Sequence, residues 1–112
     1  MMTLEKYERL TIQWSKDRGI IDTSTAQNQT LKLVSEVGEL ADNVNKGRDI
    51  RDDIGDCLVC LTNIAAIRGL SLIECWEVAY NDIKDRKGHL NKDGVFIKDG
   101  DKQKIKSETV QK

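Results

Sequence analysis

Glu36 and Glu39 lie three residues apart in Val34-Ser35-Glu36-Val37-Gly38-Glu39-Leu40, and Asp53 and Asp56 repeat the spacing in Arg51-Asp52-Asp53-Ile54-Gly55-Asp56. Helical positions three apart stand about 60° from one another, so each pair can turn both carboxylates toward one point. A glycine sits inside each pair. Gly38 weakens a helix interior by about 1 kcal/mol relative to alanine, which makes sense where a ligand must approach the backbone closely. The two pairs flank Gly47, a natural helix stop, and helices joined by a tight turn run antiparallel as neighbours. All four carboxylates are therefore expected to face one another at similar height. Four like charges in a partly buried site repel unless a cation sits among them. Oxygen-only ligands without a helix-borne histidine point to Mg²⁺ or Mn²⁺ rather than zinc or iron. The plain alternative is four solvated carboxylates on helix faces. Two pairs meeting across one turn, each beside an apolar stripe, weigh against it. An EF-hand is excluded, because Val44 and Lys46 occupy loop positions that need oxygen ligands.

The elements that must position these groups read as helices. Leu4, Tyr7, Leu10 or Thr11, and Trp14 recur at helical spacing over residues 3–17, and Gly19 ends that helix. Ile20 and Ile21 lead into the polar turn Asp22-Thr23-Ser24-Thr25. A second helix is expected from Ser24 to Lys46, its apolar stripe formed by Leu31, Val34, Val37 or Leu40, Ala41 and Val44. A third runs from Asp49, as N-cap, to Arg68; its stretch 57–67 is apolar nearly all round and predicts the most buried element. Ser71 and Glu74 have the spacing of a capping box for a fourth helix that carries Cys75, Trp76, Val78, Ala79 and Ile83 and ends at Gly88. Beyond it, two turn sequences flank Val95-Phe96-Ile97, an edge strand or an arm on a partner, and the lysine-rich last dozen residues are expected to be disordered. The fold class is all-α: a four- to five-helix bundle over residues 1–90, completed by oligomerisation, with a short extended C-terminal arm and polar tail over 91–112.

These residues carry a resemblance. Glu36-x-x-Glu39, thirteen intervening residues and Asp53-x-x-Asp56 resemble the signature of the MazG-like all-α NTP pyrophosphatases, Glu-x-x-Glu, a spacer, then Glu-x-x-Asp. Leu33–Ala41 is similar to that family's first metal helix, Asp53–Leu61 to its second, and Asn81-Asp-Ile-Lys-Asp-Arg-Lys87 to its basic segment. The likeness covers roughly residues 10–90. One position departs from it: the family usually has glutamate where this chain has Asp53, one methylene shorter, so either water bridges Asp53 to the metal or Asp52 shares the role.

The resemblance implies hydrolysis of a (deoxy)nucleoside triphosphate to the monophosphate and pyrophosphate. Glu36, Glu39, Asp53 and Asp56 would be the catalytic and metal-binding residues, with Mg²⁺ or Mn²⁺ on the phosphate chain. Charge developing on pyrophosphate calls for basic partners, and Asn81, Lys84, Arg86 and Lys87 are the candidates; their alternative is a solubilising helix terminus. Trp14 and Gln29 are candidates for the nucleobase, whereas Trp76, on an apolar stripe, reads as core. His89, the only histidine, lies past a helix end and reads as incidental.

Composition sets the outer bounds. The 112 residues make one domain's worth of chain, with no proline and 4% aromatics, which argues against a β-sandwich. A net charge of −1 gives no field toward a nucleic-acid polymer. No apolar run reaches transmembrane length, and the N-terminus carries charge where a signal peptide needs an apolar core. Cys57, Cys60 and Cys75 sit among apolar neighbours and read as reduced, buried thiols of a cytoplasmic protein. The third helix is apolar on more sides than its neighbours can cover, which predicts a partner chain; the family resemblance implies a homodimer or homotetramer. The competing functions are a metal-dependent nucleotide binder without turnover and a non-catalytic helical interaction module.

Overall fold

The computed structural model describes residues 1–100. Five helices, α1 (Leu4–Asp17), α2 (Ile20–Thr23), α3 (Ala26–Asn45), α4 (Arg51–Ile67) and α5 (Leu72–Ile83), precede two short strands, β1 (Gly88–Leu90) and β2 (Phe96–Lys98). The fold is all-α, as expected. The chain forms two compact units, Met1–Glu77 and a second beginning at Val78, so the division falls inside α5.

In the first unit the α3–α4 hairpin is the main packing, and α1 and α2 lie against α4. Local chemistry sets the ends of these helices. Thr3 Oγ1 accepts from the Lys6 N–H at 3.2 Å and Thr25 Oγ1 from the Asn28 N–H at 3.0 Å, so both threonines are N-caps. Ser24, the expected start of the second helix, instead accepts from the Gln29 side chain. Ile20 and Ile21, expected to lead into a turn, form one helical turn of their own as α2.

At the end of α3, Gly47 (φ 67°) donates to the Val44 carbonyl and Arg48 to the Asn43 carbonyl. This is the paired Schellman closure, and its left-handed residue has no steric cost as glycine. The same closure ends α4 at Gly69 (φ 71°), where Leu70 N–H donates to the Ala65 carbonyl.

Three expected ends shift. Asp49 is not the N-cap of α4; Ile50 is, and Asp49 instead accepts the Arg51 N–H at 3.0 Å and pairs with its guanidinium. Ser71 Oγ accepts from the Glu74 N–H at 3.4 Å, but the carboxylate at this helix start is not that of Glu74. Glu8 on α1 accepts from the Leu72 N–H at 2.6 Å and from the Ser71 hydroxyl at 3.1 Å. A carboxylate on the free amides of α5 also complements its dipole. Finally, α5 stops at Ile83, before the charged run 84–87, and Gly88 opens β1 rather than closing the helix.

The largest departure concerns which face of α3 is inward. Ala26 and Glu36 are buried and Gln29, Leu33, Leu40 and Asn43 half-buried, a seam of alternating three- and four-residue steps. Of the expected stripe only Leu40, the alternative to Val37, lies on this seam; Ala41 is exposed, Leu31 is 68% exposed, Val34 64%, Val37 47% and Val44 52%. The inward seam is partly polar because Glu36, Gln29 and Asn43 occupy it beside Leu33 and Leu40. On α4, Asp53, Cys60, Thr62, Asn63 and Ala65 are buried, so it is the most buried helix, yet Ile54 and Leu58 remain exposed.

One buried polar chain ties three helices together. Ser15, fully buried on α1, donates to Asn63 Oδ1 at 2.6 Å; Asn63 Nδ2 donates to Gln29 Oε1 at 3.3 Å; and Gln29 Nε2 reaches Ser24 at 3.1 Å.

In the second unit β1 and β2 pair antiparallel, with His89 opposite Ile97. Val95-Phe96-Ile97 thus belongs to a hairpin, closed where Asn91 Oδ1 accepts from Asp93 N–H and Val95 N–H. A Cβ on Gly88 would strike the Ile97 carbonyl and stand 2.6 Å from the Phe96 ring, so only glycine permits this approach. The expected disorder of the last dozen residues lies outside the described residues.

Candidate active site

Antiparallel pairing aligns α3 and α4 so that Gln29 meets Asn63 at one level and Asn43 meets Asp53, at 3.0 Å, near the turn. Asp53 belongs to the second contact, and Glu36, Glu39 and Asp56 lie between the two. Glu36 and Asp53 point into the seam and are buried; Asp56 is half-buried and Glu39 exposed. They act on one another electrostatically. The charge on Glu36, aided by that on Asp53, pushes the Glu39 carboxyl above its ordinary range. Burial raises Asp56, and the charges of Asp52, Glu36 and Asp53 add to it. Both effects disfavour the ionised form, and a cation among the carboxylates would reverse them.

Glu36 shows the unmet demand most plainly. Its Oε1 is ion-paired with Lys32 Nζ at 3.2 Å, while its buried Oε2 has no hydrogen-bond partner. A buried carboxylate oxygen without a donor is costly. Its chemistry, a hard anionic oxygen whose charge acts on Glu39 and Asp56, fits a hard divalent cation. Among the described residues, no three acidic, histidine or cysteine side chains stand close enough to enclose an ion as they are.

Asn43, Lys32 and Asn63 were missed in the sequence, although spacing could have found them. Asn43 lies seven after Glu36 and Asn63 seven after Asp56, on the same helix faces, and Lys32 lies four before Glu36. Asn43 also accepts from Arg48 at 3.4 Å, so its amide is oriented toward Asp53 from both ends.

Beside the carboxylates an open cleft of about 520 Å³ is lined by Tyr7, Leu10, Trp14, Asp56 and Val59. Trp14 is 46% exposed there, with the Arg18 guanidinium 4.1 Å from its ring centroid. The structure thus brings Trp14 and Asp56 to one cleft. It does not bring Gln29 there: both ends of that amide are held in the Ser24–Asn63 chain. A second, mostly apolar cavity of about 280 Å³ adjoins it, with Gly55, Leu58, Leu72 and Trp76 in its wall. Trp76, read from sequence as core, is 59% exposed at that cavity. Asn81 lies near the end of α5 and Lys84, Arg86 and Lys87 follow it in the second unit, all exposed, with Arg86 paired to Asp82.

The thiols also differ in part from expectation. Cys60 is buried, Cys57 half-buried and Cys75 exposed; none is in a disulfide. Burial, then the Glu36 charge, raises both Cys57 and Cys60, as suits inert thiols.

Residues 24–91, spanning both carboxylate pairs and the basic segment, match the MazG nucleotide pyrophosphohydrolase domain. The chain belongs to the MazG family. Members of this family generally use divalent metal ions. A MazG assignment accounts for an all-α chain with acidic residues facing each other across a helix hairpin. The chain is also similar, at 39% identity over 67 residues, to an uncharacterised 18.2 kDa protein of the rep-hol intergenic region of Haemophilus phage HP1. That match covers 58% of this chain and 41% of the phage protein's own length. No solved structure matches with significance. Among the described residues, no single helix is long and apolar enough to cross a membrane.

Proposed function

We propose that this chain hydrolyses (deoxy)nucleoside triphosphates to the monophosphate and pyrophosphate, with Mg²⁺, or Mn²⁺ in its place, held by Glu36, Glu39, Asp53 and Asp56. The observation that carries the reading is the buried Glu36 carboxylate, with one oxygen unpartnered, in a seam of mutually repelling carboxylates. A divalent ion bound there supplies neutralising charge for the triphosphate and acidifies water for attack at phosphorus.

The chain's own residues supply position. Asn43 and Arg48 orient Asp53, so the shorter aspartate has a fixed direction. The cleft at Trp14 and Asp56 is the place for the nucleobase, with the indole as stacking surface. Asn81, Lys84, Arg86 and Lys87 are the proposed phosphate partners, for which cationic side chains stabilise departing charge.

The exposed stripe Leu31, Val34, Val37 and Val44 supports a homodimer or homotetramer, since only Ala26, Cys60 and Ala65 are buried apolar residues among those described. A second copy on this stripe would complete the core. Three free thiols support a cytoplasmic setting. The test is pyrophosphate release from a nucleotide panel with Mg²⁺ and with EDTA. Metal-dependent binding without release would identify a nucleotide sensor instead.

A further inference from the structure

We propose that Lys32 is a tethered counter-ion that competes with the divalent metal for Glu36 and so sets the metal affinity of the site. This rests on the carboxylate site proposed above.

Lys32 lies one helical turn before Glu36 on α3, the spacing at which side chains meet. Its ammonium stands 3.2 Å from Glu36 Oε1. The two partners sit in different environments: the Lys32 side chain is 61% exposed, whereas that of Glu36 is only 10% exposed and has its second oxygen unpartnered. The lysine therefore closes the solvent side of a carboxylate whose other side faces the acidic seam. It is the one cationic partner that this carboxylate has among the described residues.

A divalent ion on Glu36 would face the ammonium across a single carboxylate. Two cations so close repel, and the more mobile one leaves. Lys32 can do so at little cost, because its head group already lies toward water on a flexible four-carbon stem. While no metal is bound, the ion pair limits the cost of a buried, uncompensated carboxylate. When metal binds, breaking that pair subtracts from the affinity gained. A lysine kept only for solubility would have neither effect.

The test uses the full chain and Mn²⁺ alone, without nucleotide, titrated by calorimetry into wild type, Lys32→Gln, Lys32→Arg and Glu36→Gln. Circular dichroism verifies the fold of each. Lys32→Gln should bind Mn²⁺ about three- to fivefold more tightly, the fold-change matching release from a partly exposed ion pair. Its metal-free thermal midpoint should fall and recover with Mn²⁺. Lys32→Arg should stay near wild type, because the charge is retained. Unchanged or weaker Mn²⁺ binding by folded Lys32→Gln, with wild type binding and Glu36→Gln impaired, overturns the counter-ion role alone. No Mn²⁺ binding by wild type overturns the carboxylate site and this inference with it.

Discussion

Gly38 offers a test in which stability and function separate. It lies in the middle of α3, between Glu36 and Glu39, with an ordinary negative φ, and a Cβ built there meets nothing within 4 Å. Alanine therefore creates no clash and gains the helix propensity that glycine lacks, about 0.8–1 kcal/mol. For a domain of about 100 residues the unfolding entropy is about 0.2 kcal/mol/K, so the midpoint should rise by about 5 °C. The assay is far-ultraviolet circular dichroism of the metal-free chain on heating, with pyrophosphate release measured in parallel. If the glycine is there so that substrate can approach the backbone between the two carboxylates, Gly38→Ala should lose at least about tenfold in rate while becoming more stable. A higher midpoint with full activity refutes the close-approach argument. A lower midpoint refutes the premise that space at Gly38 is free.

Other perturbations probe other parts of the account. Glu8→Ala removes the acceptor for Leu72 N–H and the Ser71 hydroxyl and should cost about 1–2 kcal/mol, read as a lower thermal midpoint. Asn63→Ala leaves buried Ser15 and the Gln29 amide short of partners and should cost about 2–3 kcal/mol by urea unfolding. Glu39→Gln should make the metal-free chain more stable at neutral pH, an advantage that shrinks at high salt, because it removes repulsion with Glu36. The sign follows from the raised carboxyls. With both carboxyls held above their ordinary range in the folded state, the metal-free fold gains stability from these two groups as pH falls through that range. The same acidification should weaken Mn²⁺ binding.

Much of this fold follows from patterns a reader can see in the chain. Helical spacing placed α1, α3, α4 and α5, and Gly47 marked the α3–α4 turn because a left-handed residue is needed there. The carboxylate pairs were legible as well, since three-residue spacing and one tight turn suffice to make them face each other. Long-range capping was not. Glu8 reaches across 64 positions to Leu72, and no local pattern encodes that contact, so Ser71–Glu74 looked self-sufficient. The inward face of α3 was misread for a different reason. Its apolar stripe was read as Leu31, Val34, Val37 or Leu40, Ala41 and Val44, but the hairpin turns Glu36 and Asn43 inward and leaves all of that stripe except Leu40 exposed. Gln29, a candidate for the nucleobase in the sequence, has its amide occupied by Asn63 and Ser24, long-range and turn contacts that spacing does not reveal.

The most direct measurement is pyrophosphate release by wild type and Glu36→Gln from ribo- and deoxynucleoside triphosphates, each with Mg²⁺ and with EDTA. The exchange preserves shape while removing the buried charge whose oxygen lacks a partner. Release by wild type that requires Mg²⁺ and is lost in a folded Glu36→Gln chain is the result expected. Metal-independent release, or full activity in Glu36→Gln, would contradict the carboxylate seam as the site of chemistry.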